Sequence, residues 1–148
     1  MTTYRVTGNV PYAGHHHERG FNAFYLTDLS HGWMKDVRIV NADSDVLTDD
    51  SAHLTLDGVR VDERREHYGL HFGSVHEALV RNFDVDAEQH HSVSFNTQSH
   101  ASVYSHGRLH RATLDQHRGA NHQNLFDDIA VVEDRGHSNL FEHGGANY

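Results

Sequence analysis

Apolar residues in this chain follow one short phrase, apolar–x–x–apolar–x–apolar, that recurs five times. Its members are Met34/Val37/Ile39, Leu56/Val59/Val61, Val80/Phe83/Val85, Tyr104/Gly107/Leu109 and Phe126/Ile129/Val131. Successive instances lie 22, 24, 24 and 22 residues apart, and the one departure from an apolar residue is Gly107. A second row runs half a period away: Phe24/Leu26, Val46/Thr48, Leu70/Phe72, Val93/Phe95 and Leu114. Residues two apart share one face of a strand, so each pair points the same way. The runs are short, rich in β-branched and aromatic residues, and separated by Gly, Asn, Asp and Ser, which reads as strands and turns rather than helices.

A sandwich also has short strands joined by turns. Hairpins, however, do not repeat one apolar phrase at a fixed interval. Stacked coils about 4.8 Å apart do, because equivalent residues fall into register. The pattern therefore predicts an all-β fold, a right-handed parallel β-helix of five coils of 22 to 24 residues. One domain covers 1–148, with an irregular N-terminal segment over 1–20 and coils over 21–143.

The outward positions agree with this stacking. Lys35, Asp57, Arg81, Ser105 and Asp127 form one column in which neighbouring charges alternate in sign, as adjacent strands prefer. In the next column Arg38 and Arg60 become neighbours of like charge, a small cost unless an acid lies between them. The chain before the first coil carries one strand, Tyr4 to Val10. Uncovered coils present unpaired backbone groups, so the stack is expected to associate end to end or to continue in a longer polypeptide.

Composition narrows the partners. The 148 residues carry 21 acids against 12 bases, a formal charge of −9 with histidine neutral, which argues against nucleic acid. No apolar run reaches membrane length, and residues 1–20 hold no signal-peptide core. There is no cysteine, so disulfides play no part. Histidine, at 17 residues, is the unusual feature.

The segment Trp33 to Val61, WMKDVRIVNADSDVLTDDSAHLTLDGVRV, resembles the coils of the pectate-lyase-like right-handed β-helix superfamily. HYGLHFG (67–73), HHSVSF (90–95) and LDQHRGANHQNLF (114–126) resemble those of secreted bacterial members. This resemblance implies an extracellular location and a polysaccharide partner, bound or cleaved along one outward face. The Asp-His motif of pectate lyases and the aspartate trio of polygalacturonases are absent.

Counting from the second row gathers a candidate site on one face of three coils, across roughly 10–12 Å. Its catalytic candidates are His67, His90, Asp115, His117 and Arg118; His71, His91 and Arg111 are its substrate-binding candidates. β-Elimination on a uronate polymer needs a group to neutralise the carboxylate, a base for the neighbouring proton and an acid for the leaving oxygen. Arg111 and Arg118 suit the carboxylate, a histidine suits the base, and Asp115 can orient it. The same residues are compatible with a divalent cation, although no H-E-x-x-H spacing is present. A structural ladder of imidazoles and a glycan-binding module without turnover are the competing readings. Hydrolysis, which wants two carboxyl groups flanking a sugar, has only Asp43/Asp45 and Asp49/Asp50 to draw on. The triplet His15-His16-His17 is expected at a turn joining the same face.

Overall fold

The computed structural model describes residues 1–8, 11, 14, 16–62, 64–111 and 114–133, with the backbone alone for His117. The end of the predicted coils, 134–143, lies outside them, as do His15 and the last two residues of the predicted N-terminal strand, Asn9 and Val10. The described chain is a parallel β-solenoid with three sheets. Sheet A stacks β1 (Thr2–Arg5), β3 (Trp33–Val40), β6 (Thr55–Asp62), the pair β9 (Leu79–Arg81) and β10 (Asp84–Val85), β12 (Val103–Leu109) and β14 (Leu125–Val131). Sheet B stacks β2 (Phe24–Thr27), β4 (Ser44–Asp49), β7 (Glu66–Gly73), β11 (Gln89–Asn96) and β13 (Leu114–His117). Sheet C is narrow: β5 (Ser51–Ala52) pairs with β8 (Val75–His76), and single bridges carry it through Ser30, His100 and His122.

Every strand pairing is parallel, and the predicted registers hold: Val37↔Val59, Leu56↔Val80, Tyr104↔Phe126, Leu70↔Val93 and Val93↔Leu114. The N-terminal strand is displaced from expectation. It spans Thr2–Arg5, not Tyr4 to Val10, and pairs with Val37–Val40.

A straight strand cannot hold residues i, i+3 and i+5 on one face, because its side chains alternate. The structure resolves this with a left-handed residue at the second x of each phrase. Asp36, Gly58, Asn82, His106 and Asp128 have φ of 52°, 74°, 55°, 53° and 48°. One such residue bends the strand and turns the following side chain back inward, as in a bulge. Asp, Asn and Gly adopt that conformation at least cost. Further left-handed columns flank sheet C, at Asp28/Asp50/Ser74 and at His31/His53/Glu77.

The two apolar rows meet inside the coils. Ile39, Val59, Val61, Leu70, Phe72, Val80, Val85, Val93, Phe95, Tyr104 and Leu109 are buried. Val131, in the end coil, is not: it is 39% exposed. The hydroxyl of Tyr104 crosses the core to donate to the Leu70 carbonyl at 2.7 Å, with the Ser94 carbonyl at 3.1 Å. Gly107 breaks the row because the ring of Phe83, one coil below, fills its place; a Cβ there would lie within 2.5 Å of three ring carbons. Outside, the like-charged neighbours are separated by acids, Arg38 contacting Asp62 and Arg60 lying 4.0 Å from Asp84. Arg81 binds Asp57 at 2.9 Å in the alternating column.

Candidate functional site

β7 opens with Glu66-His67-Tyr68 and β11 with Gln89-His90-His91, and their pairing sets Gln89 on Glu66 and His91 on Tyr68. Stacking thus brings four imidazoles and a phenol together from residues 24 apart at most. Tyr68 stacks on His67 at 3.9 Å between centroids and on His91 at 5.0 Å, and tilts against His71 at 4.3 Å. His67 lies 6.0 Å from His90 and 5.6 Å from His91.

Three of the rings are held from another side as well. His71 Nδ1 lies 2.6 Å from Ser94 Oγ, and the missing side chain at Gly73 leaves room for this imidazole, whose Nε2 would lie 3.2 Å from a Cβ there. His91 Nδ1 stands 3.0 Å from Asp115 Oδ2. His67 Nδ1 meets the carboxylate of Glu18, and His16 adds an edge contact at 5.8 Å, so part of the histidine triplet does reach this face. Burial works to raise the Glu18 carboxyl, but its backbone hydrogen bond and His67 more than offset that and leave it below the usual carboxylate range.

Of the predicted residues, the structure therefore gathers His67, His71, His90, His91 and Asp115. His117 continues the row in β13, facing Asn96, and its side chain is outside the described residues. Arg118 follows at an exposed turn, where its carbonyl accepts from Thr97 N at 2.7 Å. Arg111 belongs to a chain of ion pairs at the corner between sheets A and B, 2.9 Å from Glu133 and 3.5 Å from Glu88, beside Arg65 and Glu88 at 3.1 Å. The face is also more closed than its outward register implies. Ser94 and Asp115 are fully buried, and the His67 and His91 side chains are 5% and 7% exposed. Tyr68, His71 and His90 are half-buried and remain open to a ligand.

Behind the rings sits a buried polar group that sequence reading missed. Gln89 Nε2 donates to Asp45 Oδ2 at 3.0 Å and to Glu66 Oε1 at 2.9 Å. Burial pushes Glu66 up to about 8 and Asp45 well above the carboxylate range, the latter reinforced by Glu66 itself. These carboxyls face the interior, not a sugar-sized cleft. Asp43 is likewise withdrawn, contacting Arg64 and accepting from Phe21 N at 2.8 Å.

Among the described residues no three histidine, aspartate or glutamate side chains converge as ligands of one metal ion, and no helix is long and apolar enough to cross a membrane. The chain matches no family model, no curated protein and no solved structure.

Proposed function

We propose that the outer face of sheet B binds an acidic, uronate-containing glycan and opens it by β-elimination, as the resemblance to pectate-lyase-like β-helix proteins implies. The observation that carries this reading is a half-exposed phenol and imidazole side by side, Tyr68 and His71, 4.3 Å between ring centroids. In the proposed step the His71 imidazole takes the proton next to the substrate carboxylate. The electrons of that C–H bond form the C=C bond, and the glycosidic oxygen leaves with a proton from the Tyr68 hydroxyl. His90, the third half-exposed side chain of this face, takes the role of hydrogen-bonding the carboxylate. Asp115 fixes the orientation of His91, and Ser94 that of His71. Lower on the outward column, Tyr25 is 60% exposed and supplies an aromatic surface two coils from His71, on which a further sugar ring can lie.

Binding without turnover is the second reading. It is favoured by the carboxylate contacts of His67 and His91, which withdraw these two imidazoles from proton transfer and leave the face to contact a sugar. A panel of uronate polymers, followed by the ultraviolet absorbance of the unsaturated product, separates the two. Elimination gives rising absorbance in the wild type and at least a hundredfold loss in His71→Ala with unchanged melting temperature. Binding on a glycan array with no product from any polymer overturns the lyase reading and keeps the binding one.

A further inference from the structure

Sheet C carries a second set of histidines that the proposed reaction does not use. His31, His53, His76, His100 and His122 supply one imidazole from each coil. The rings form a continuous ladder: His31 stacks on His53 at 4.5 Å and 6°, His76 on His100 at 5.2 Å and 10°, and His100 on His122 at 4.9 Å and 17°. An edge contact of 5.7 Å joins His53 to His76. The spacing is that of adjacent strands, because His76, His100 and His122 are bridged directly through the backbone.

Two features make this a ligand surface rather than a packing device. First, the rings are exposed or half-exposed, so burial does not explain them. Second, His100 Nδ1 lies 3.2 Å from the Gln98 carbonyl. A carbonyl only accepts, so Nδ1 carries the proton and the lone pair is on Nε2. That is the arrangement by which a backbone carbonyl prepares a histidine for a metal ion. Glu77 stands against His53 Nδ1 at 2.8 Å in the same way. The hollow beside the ladder is lined by Asp28, Asp50, Ser74 and His76, which draws cations and offers oxygen donors.

The geometry points to sheet C as a binding edge for divalent transition-metal ions, each held by Nε2 atoms of imidazoles in adjacent coils. Bonds of about 2.0–2.1 Å at a tetrahedral or right angle require the two nitrogens to come within about 3–3.4 Å of each other, so stacked rings must close by roughly 1–2 Å and tilt until their in-plane lone pairs converge, which exposed side chains can do. Two protein ligands leave water in the remaining positions, so the site is open and exchangeable. His31 and His53 form one pair. His100 can serve only one ion at a time, with His76 or His122, and so makes a second. Imidazole ligands favour Cu2+ over Zn2+.

Titrating the full chain with Cu2+ slightly above neutral pH, by calorimetry and electron paramagnetic resonance, tests this. Wild type is expected to take up two ladder ions with nitrogen hyperfine structure. His100→Ala leaves His76 and His122 two coils apart and should remove one ion. His53→Ala should remove the other, and each loss should appear as at least tenfold weaker binding at that site. His100→Gln checks that a folded, similarly shaped side chain gives the same loss. Zn2+ should bind more weakly at the same places. Retention of both ions in His53→Ala/His100→Ala, or their loss on substituting His16 and His17 alone, overturns the proposal. The glycan assay is independent, since His71→Ala should leave Cu2+ uptake unchanged.

Discussion

Replacing Gly107 by alanine tests whether a glycine in an otherwise apolar row is a packing choice. Gly107 lacks the left-handed φ that would itself demand glycine, so alanine costs nothing in backbone geometry. Restricting the unfolded chain would even stabilise by about 0.4–1 kcal/mol. Against this, the new methyl would sit inside the contact envelope of Phe83 Cζ, Cε1 and Cε2. Phe83 is 2% exposed and lies edge-on to Tyr104 at 6.0 Å and 77°, so its ring has no free volume to enter. Overpacking a core typically costs about 1–3 kcal/mol, and this site belongs at the upper end. The overpacking wins, and Gly107→Ala should lose roughly 2–3 kcal/mol net.

At about 2–4 °C per kcal/mol for a domain of this size, melting followed by circular dichroism should fall by roughly 5–10 °C. Phe83→Leu alone should also destabilise, since it leaves a gap beside Gly107. The two changes together should cost at least about 1 kcal/mol less than their sum, because the methyl then occupies the vacated ring volume. Strict additivity in urea unfolding, or a Gly107→Ala protein that melts like the parent, would refute the reasoning.

Two further perturbations follow from burial. Glu66 is raised to about 8 in the fold, so its contribution to stability is fully present below the unfolded value near 4.5 and is lost as pH rises toward and through 8. At about 1.4 kcal/mol per pH unit this amounts to several kcal/mol; melting temperature should decline across that window, and Glu66→Gln should flatten the decline. Val59 is completely buried whereas Ile129, in the end coil, is only partly so. Val59→Asp should therefore abolish the cooperative transition, while Ile129→Asp should leave a folded protein of reduced melting temperature; equal effects would show that the stack is not closed in its middle coils.

What the chain reveals about its own fold depends on periodicity. Coil length, parallel register and the inward rows were all readable, because stacking forces equivalent side chains into contact at every turn. Features that occur once were not. The strand at Thr2–Arg5 has no repeat to announce it, and its partner is set by a free edge on β3. The left-handed column was hidden in plain view: Asp36, Gly58, Asn82 and Asp128 are residues suited to positive φ, placed where the apolar phrase skips two positions.

For the site, periodicity specifies which coil and which side, but not what reaches over that side. His67, His90, His91 and Asp115 converge because a residue 21 to 24 places on is the next one up the stack. His67 is also met by Glu18, which approaches from outside the repeat and therefore has no column. Arg111 and Arg118 show the converse. Arg111 stands at the corner beside Arg65 and Glu88, where its long side chain goes to the nearest acids, Glu88 and Glu133, and Arg118 lies at the turn beyond β13. The sheet C ladder escaped detection for a third reason. Between His53 and His76 the spacing is 23, and the histidines move from the left-handed position beside the bridge to the bridge position itself. A fixed-column count sees two unrelated groups there, whereas the edge contact of His53 with His76, 5.7 Å between centroids, bridges the one-residue step in space. Contact between large side chains, not strict register, is thus the signal by which such a ladder could be found in a solenoid sequence.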